Sequence, residues 1–328
     1  METPTTLDFC GVLSESRKIM KAHSRHFLAL SVLFLLPISF SMVAFRTLLL
    51  SITKSEPQQP ESLLRYTHNQ QQQKPITLQF LFLSLLYAFT ILILSLCATG
   101  TITYSVYHGF FGRPVKFVSA IKSLSNSLLR LFTTVLSAQI IVISVYVFVG
   151  LVVFVVIKGI EVLGFEISYS SLYINIAYVI GSVVLGLGFL YLQVNWSLAF
   201  VIVTVEASWG FDPLMRSTYL VKGMRGVSLA LMLFFGGIMC LILGLIWNLE
   251  VGSGIWRGVL FVIQTVVASA CLMVLLLHSL ATNTVLYMYC KALHGELAVE
   301  IAEEFARDYV SLPFDEEKVP HVVSVIQP

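Results

Sequence analysis

The 328 residues are 57% hydrophobic and 12% charged, with a formal net charge of +2; a soluble globular domain carries roughly 25% charged residues. That balance excludes a water-soluble fold. Six apolar stretches, near residues 27–50, 77–101, 131–157, 171–205, 227–249 and 255–290, reach the length of about 20 residues that a helix needs to cross a bilayer. Because lipid offers no water to unpaired backbone groups, the spans must be helical. The expected fold class is therefore all-α: a polytopic transmembrane bundle of about six spans, with amphipathic surface helices before spans 1, 3 and 5.

In chain order, residues 1–26 read as an amphipathic segment. Phe9, Leu13, Met20 and Phe27 share one helical face, and Arg17, Lys18, Lys21 and Arg25 lie elsewhere around it. His23 and His26 beside this basic run read as interfacial polar residues. Met1 to His26 is polar and the first apolar run is too long for a cleaved signal peptide, so the first span is expected to act as its own signal anchor. Pro37 inside that span predicts a kink. The loop at 51–76, with its SEPQQPES and NQQQQK runs, is expected to be extracytosolic and disordered, since its composition cannot bury a core.

The loop at 102–130 repeats the opening theme. Phe117, Ile121, Leu124, Leu128 and Leu131 predict one apolar helix face, with Lys116, Lys122 and Arg130 off it and no acid in between. The fourth and sixth stretches run to about 35 residues, on the order of 50 Å as straight helix, so they must tilt, bend or project. Gly181, Ser182, Gly186 and Gly188 in the fourth, and Gly236, Cys240 and Gly244 in the fifth, predict small-residue seams for close helix approach. Gln139, Asn175, Gln193, Asn195, Gln264, His278 and Asn283 lie at depth, and interhelical hydrogen bonding is the expected use of such groups.

Between the fourth and fifth spans, the cytosolic loop at 205–226 is the densest run of charge flanked by apolar segments. A helix over Asp212–Val227 would put Leu214, Leu220, Val221, Met224 and Val227 in one apolar arc lying on the bilayer. Asp212 is the expected N-cap and Pro213 the first helical residue. Glu206 is expected to pair with Arg216 or Lys222 and fix this helix on the bundle; the alternative leaves Glu206, Arg216, Lys222 and Arg225 solvated at the interface. The surface helices before spans 1, 3 and 5 recur at intervals of roughly 100 residues, as in a threefold repeat of helix plus hairpin.

The end of the chain, 291–328, begins as a helix with Leu293, Leu297, Ile301, Ala302 and Phe305 on one face and Glu296, Glu300, Glu303 and Glu304 largely off it. Its acids would repel anionic lipid, so it is expected to pack on the protein or on a protein partner. Fourteen of the 20 Lys and Arg flank the same side of the six stretches, which predicts cytosolic termini. The five cysteines, Cys10, Cys97, Cys240, Cys271 and Cys290, have neither disulfide nor zinc spacing; free thiols are expected, with Cys10 and Cys290 near span ends where palmitoylation acts.

The segments LSESRKIMKAHSRHFLALSVLFLLPISFS, KALHGELAVEIAEEF and RDYVSLPFDEEKVPHVVSV resemble a plant family of six-span membrane proteins of uncharacterised activity, over essentially the whole chain. Some members of that family are labelled as partners of a poly(A)-binding protein. More remotely, EASWGFDPLMRSTYLVKG, from Glu206 to Gly223, is similar to a pattern in bacterial membrane domains, including one fused to some glycerophosphodiester phosphodiesterases. The catalytic domain of those enzymes has no counterpart here, so the resemblance carries over no hydrolase activity.

HExxH, paired intramembrane Asp, GxSxG and phosphate-cradling patterns are absent from the sequence, and no basic-aromatic patch suits nucleic acid. An enzyme and a cofactor are therefore not expected. The leading expectation is a lipid-interacting, membrane-organising or adaptor and trafficking protein of the endoplasmic reticulum, another endomembrane or the plasma membrane, with anionic headgroups as partners. The alternative, from six spans with polar side chains, is a small-solute transporter or channel. The interfacial residues singled out are Glu206, Asp212, Arg216, Lys222, Arg225, Lys116, Lys122 and Arg130.

Overall fold

The computed structural model describes residues 9–54, 74–113, 115, 117–162, 172–248 and 256–308. The regular elements among them are α1 (Phe9–Ala22), α2 (Ser24–Leu30), a π-helical turn (Ser31–Leu35), α3 (Leu36–Lys54), α4 (Lys74–Phe110), α5 (Phe117–Val162), α6 (Leu172–Asn195), α7 (Ala199–Val205), α8 (Asp212–Leu220), α9 (Arg225–Asn248), α10 (Trp256–Leu293) and α11 (Glu296–Asp308). Among the described residues, six segments are long and apolar enough to cross a membrane: Ser24–Phe45, Leu81–Phe110, Ser127–Gly159, Val179–Val205, Arg225–Ile246 and Val259–Leu293. The chain is an all-α polytopic bundle. Of the expected extracytosolic loop at 51–76, residues 55–73 lie outside the described residues, as does the chain beyond Asp308, whereas 51–54 close α3 and 74–76 open α4.

Local chemistry accounts for where the spans bend. Pro37 has no N–H to give to the carbonyl four residues back, and its ring crowds that carbonyl. The first span accommodates this with the wide turn Ser31–Leu35, while Ser31 and Ser39 donate their hydroxyls to the carbonyls of Phe27 and Leu35. The fourth span is interrupted between α6 and α7, and the 38-residue α10 runs unbroken for about 57 Å at 1.5 Å per residue. Of the two long stretches, one is therefore interrupted and the other continues as a single helix.

The expected surface helix before span 3 is the beginning of α5, a single helix of 46 residues. No Gly or Pro occurs between Phe117 and Phe148 to end it. Part of its apolar face meets protein, because a Cβ at Gly100 of α4 would lie 3.2 Å from Leu124 Cδ1 and 3.3 Å from Leu131 Cδ1. The first segment behaves similarly: Val12, Ile19 and Met20 of α1 are buried, and a Cβ at Gly109 would come within 3.0 Å of Ile19 Cγ2. These glycines, rather than the expected seams, are where helices approach closely. At Gly181, Gly186, Gly188 and Gly236 a Cβ would meet nothing within 4 Å, which corrects that expectation.

The core is concentrated at one end. Phe27, Leu30, Ile102, Val106, Leu198, Ile202, Leu220, Val221, Leu231, Val285 and Leu286 form a buried cluster where the spans meet α1, α8 and α11. At the other end, six consecutive residues of α5, Leu151 to Val156, are all between 44% and 60% exposed. Six consecutive residues point in every direction around a helix, so this stretch of α5 is unpacked on all sides within the chain. The asymmetry has a physical reason. Near water, burying a large apolar side chain stabilises by about 1.5–3 kcal/mol; in lipid, leaving the same side chain unpacked costs little, because acyl chains are equally apolar.

Hydroxyls rather than amides join the helices. Ser16 Oγ meets Thr282 Oγ1 at 3.1 Å, Tyr87 donates to the carbonyl of Ser41 at 3.1 Å, and Ser197 Oγ meets Ser228 Oγ at 2.9 Å. Asn195 and His278, expected to bridge helices, bond the carbonyls four residues back in their own helix, Tyr191 and Val274.

The turn between α8 and α9 rests on Gly223, whose φ of +105° lies in the left-handed region and whose Cβ, if present, would sit 3.0 Å from Leu293 Cδ2. Gly223→Ala should destabilise by about 1–2 kcal/mol from the backbone alone. Gly226→Ala, in open space at the start of α9, should not. Thermal unfolding of both variants in the same detergent checks the difference.

Candidate functional site

The fourth span breaks at Trp196–Leu198, and a side chain from α8 fills the break. Ser217 is buried; its hydroxyl donates to the carbonyl of Asn195 at 2.6 Å and accepts from the Leu198 N–H at 3.3 Å. Both are backbone groups that an uninterrupted helix would have paired. One hydroxyl from a neighbouring element thus replaces part of the missing ladder and fastens α8 beside the span.

The arc of α8 expected to lie on the bilayer is turned inwards: Leu214, Leu220, Val221 and Met224 are buried. The helix is also shorter than expected. It stops at Leu220, and Gly223 separates it from α9, because a left-handed residue cannot continue a right-handed helix. Asp212 is its first residue rather than its cap, which is Phe211 with no side-chain cap bond, and Pro213 follows it. An acid in the first turn still interacts favourably with the helix dipole.

Turning the arc inwards delivers Arg216 to a cluster of charges. Its Nε donates to Glu206 Oε2 at 3.3 Å, and Nη2 donates to Glu296 Oε2. Glu206 Oε1 accepts from the Tyr287 hydroxyl at 2.8 Å and lies 4.0 Å from Lys291 Nζ. Lys291 Nζ donates to Glu300 Oε2 at 2.9 Å, and Tyr107 donates to Glu300 Oε1 at 2.7 Å. Burial pulls the Arg216 pKa down, but hydrogen bonding and attraction to Glu296 and Glu206 outweigh it and leave the guanidinium above its ordinary value. It stays charged throughout the physiological range. Three carboxylates, two cations and two phenols contributed by α4, α8, α10, α11 and the turn after α7 make a clamp in which both oxygens of Glu206, both of Glu300 and one of Glu296 meet donors from within the cluster.

Of the residues singled out from sequence, Glu206 and Arg216 meet here. Asp212 and Lys222 are exposed, Arg225 is half-buried with its Cζ 5.9 Å from the centre of the Tyr191 ring, Lys122 is exposed and Arg130 half-buried. Lys116 lies outside the described residues. Sequence reasoning missed Tyr107, Tyr287 and Lys291 and placed Glu296 and Glu300 only as acids largely off the apolar face of the last helix. The available signal was the spacing of those two acids, one turn apart and directly after Lys291 and Gly295. With φ of +76°, Gly295 lets α11 fold back on the end of α10. This packs α11 on the protein, with Leu297 against the core.

His26 Nε2 lies 3.0 Å from Ser105 Oγ, joining the first segment to α4. Among the described residues, no group of three or more His, Cys, Asp or Glu is placed to hold a metal ion. All five cysteines are free; Cys10 is exposed, and Cys290 is buried with its Sγ 3.7 Å from Met224 Sδ, out of reach of acylation.

The clamp predicts non-additivity. Glu206→Gln and Arg216→Gln should each lower stability in detergent, and the double variant should lose less than the sum, with a coupling of about 0.5–3 kcal/mol, as for residues sharing one network. Glu206→Gln with Lys222→Gln should be additive, since Lys222 is exposed and lies outside the clamp's contacts. Denaturant titrations of the single and double variants read both.

No curated protein and no solved structure matches the chain. A family model described as "Domain of unknown function (DUF8558)" matches residues 2–315. That match takes in α1, the six spans, the clamp and α11, and the chain belongs to this family.

Proposed function

We propose that the protein is a non-enzymatic membrane protein that contacts anionic lipid at its clamped end and there organises the bilayer or scaffolds other membrane components. The observation that carries this reading is the contrast between the ends of the bundle. The clamped end is packed and displays exposed Arg17, Lys21, Arg25, Lys122 and Lys222, whereas the stretch of α5 from Leu151 to Val156 at the opposite end is unpacked on all sides within the chain. A cation near an anionic leaflet gains about 1 kcal/mol, so such a ring favours one leaflet.

The same charges orient the chain. Fourteen of 20 Lys and Arg flank this side, so it faces the cytosol, carrying both termini with it. Likeness of the opening and closing segments to a plant six-span family supports an endomembrane or plasma-membrane setting. The stretch from Glu206 to Gly223, similar to bacterial membrane domains, serves here as structure rather than catalysis: its charged pair is consumed by the clamp. The acidic tail suits a protein partner rather than lipid.

A second reading, transport of a small solute, draws on the interrupted fourth span, where Asn195 Oδ1 is buried without a hydrogen-bond partner. Interrupted helices elsewhere line substrate paths. Solute flux into proteoliposomes above that of empty vesicles would favour it.

For the lipid reading, native mass spectrometry of the purified protein should find anionic phospholipid enriched over its share of the host membrane. Lys122→Glu with Lys222→Glu should lose that enrichment. An unchanged lipid profile in the variant removes the reading. For orientation, protease added to sealed microsomes should remove a C-terminal tag, and a protected tag would reverse the assignment.

A further inference from the structure

We propose that the outward face of α8 and of the turn before it, formed by Trp209, Phe211, Met215 and Tyr219, is an anchor seated in the headgroup and upper acyl layer of the bilayer. This deepens the lipid reading and rests on it for the leaflet concerned. The starting observation is that α8 has two apolar faces. The inner one is spent on the bundle, whereas Trp209, Phe211, Met215 and Tyr219 are 65%, 47%, 69% and 53% exposed. Phe211, Met215 and Tyr219 stand four residues apart, which puts them along one side of the helix.

The position of α8 decides what this side meets. Span 4 ends at Val205, span 5 begins at Arg225, and α8 occupies Asp212–Leu220 between them. Both ends of the helix are therefore tied to span ends, and it cannot rise far from the membrane boundary. Ser217 on its inner side bonds Asn195 and Leu198. Leu198 directly precedes α7, which ends at Val205, so the contact lies about 10 Å back along the span at 1.5 Å per residue. The helix is sunk against the flank of the bundle, and its opposite side looks sideways into the surrounding lipid.

The side chains suit that layer. Trp and Tyr have an apolar body and a polar edge and concentrate where acyl chains give way to headgroups. The turn holds Ala207 at φ of +56° and Gly210 at φ of +72°, left-handed positions on either side of Ser208 and Trp209. For Ala this conformation is disfavoured because Cβ crowds the following carbonyl oxygen, and the contacts that hold Glu206 on one side and α8 on the other offset it. Exposed Lys222 follows the stripe, where a phosphate would meet it. The anchor also touches the clamp: the Tyr219 ring lies 5.0 Å from that of His294 and 5.9 Å from Arg216 Cζ.

The test uses the full chain with Trp196→Phe, Trp247→Phe and Trp256→Phe, leaving Trp209 as the sole tryptophan, reconstituted into phosphatidylcholine and phosphatidylserine vesicles. Lipids brominated near the carbonyl end of the acyl chain should quench Trp209 more than lipids brominated near the terminal methyl, and iodide on both sides of the membrane should quench it weakly. Strong iodide quenching without bromine quenching, or quenching by neither, overturns the proposal; the first result would leave the face open to water and to a protein. If the triple variant does not fold, the difference between the unaltered chain and Trp209→Phe reads the same emission. Failure here with anionic lipid still enriched removes the anchor alone, and loss of the enrichment removes the lipid reading.

Discussion

A single carboxylate, Glu206, is shared by Arg216, Tyr287 and Lys291, and the closed end of the bundle depends on its charge being met from all three. Taking ions out of water is costly, and attraction repays that cost only when geometry is good and the remaining lone pairs are satisfied. Both oxygens of Glu206 and both of Glu300 have donors, and each cation has at least one carboxylate within hydrogen-bond reach. The clamp spans segments that are otherwise held together mainly by non-directional packing. It therefore sets their register where apolar contacts alone would tolerate sliding.

The clamp and the interruption of the fourth span are two sides of one helix. Ser217 and Arg216 are neighbours on α8, the first turned towards the broken backbone of the span and the second towards the acids. Displacing α8 would uncover the Asn195 carbonyl and the Leu198 N–H at the same time as it broke the ion pairs. Unpaired backbone groups away from water cost free energy comparable to a lost hydrogen bond each. The two sets of contacts therefore stand or fall together.

Much of the architecture was legible in the sequence, because crossing a bilayer leaves a signal about 20 residues long that local chemistry hardly disturbs. Six spans and an irregularity near Pro37 follow from patterns visible there, whereas for Glu206 the sequence left Arg216, Lys222 and plain solvation open, and the pairing with Arg216 is read from the structure. Which way an amphipathic face points was not legible. Leu214, Leu220 and Val221 make the same arc whether they lie on lipid or on protein, and only the packing of α8 on α7, α5, α6 and α10 decides it. The glycine seams failed for a related reason: Gly100 and Gly109 are isolated in sequence yet touch neighbouring helices, whereas the periodic glycines of α6 do not. Lys291 was missed because its partner acid belongs to a helix that reverses at Gly295, and a reversal joins residues that a helical wheel separates.

The order of the clamp along the chain bears on biosynthesis. Arg216 and Glu206 are made 10 residues apart, but Glu296 follows Arg216 by 80. During synthesis only one of the guanidinium's two clamp partners, Glu206, is present while the fifth and sixth spans are still entering the membrane. Tyr287, Lys291, Glu296 and Glu300 arrive last. Insertion of the spans and closure of the bundle are therefore separate events, and the joint among the helices locks only after the final hydrophobic segment has left the ribosome.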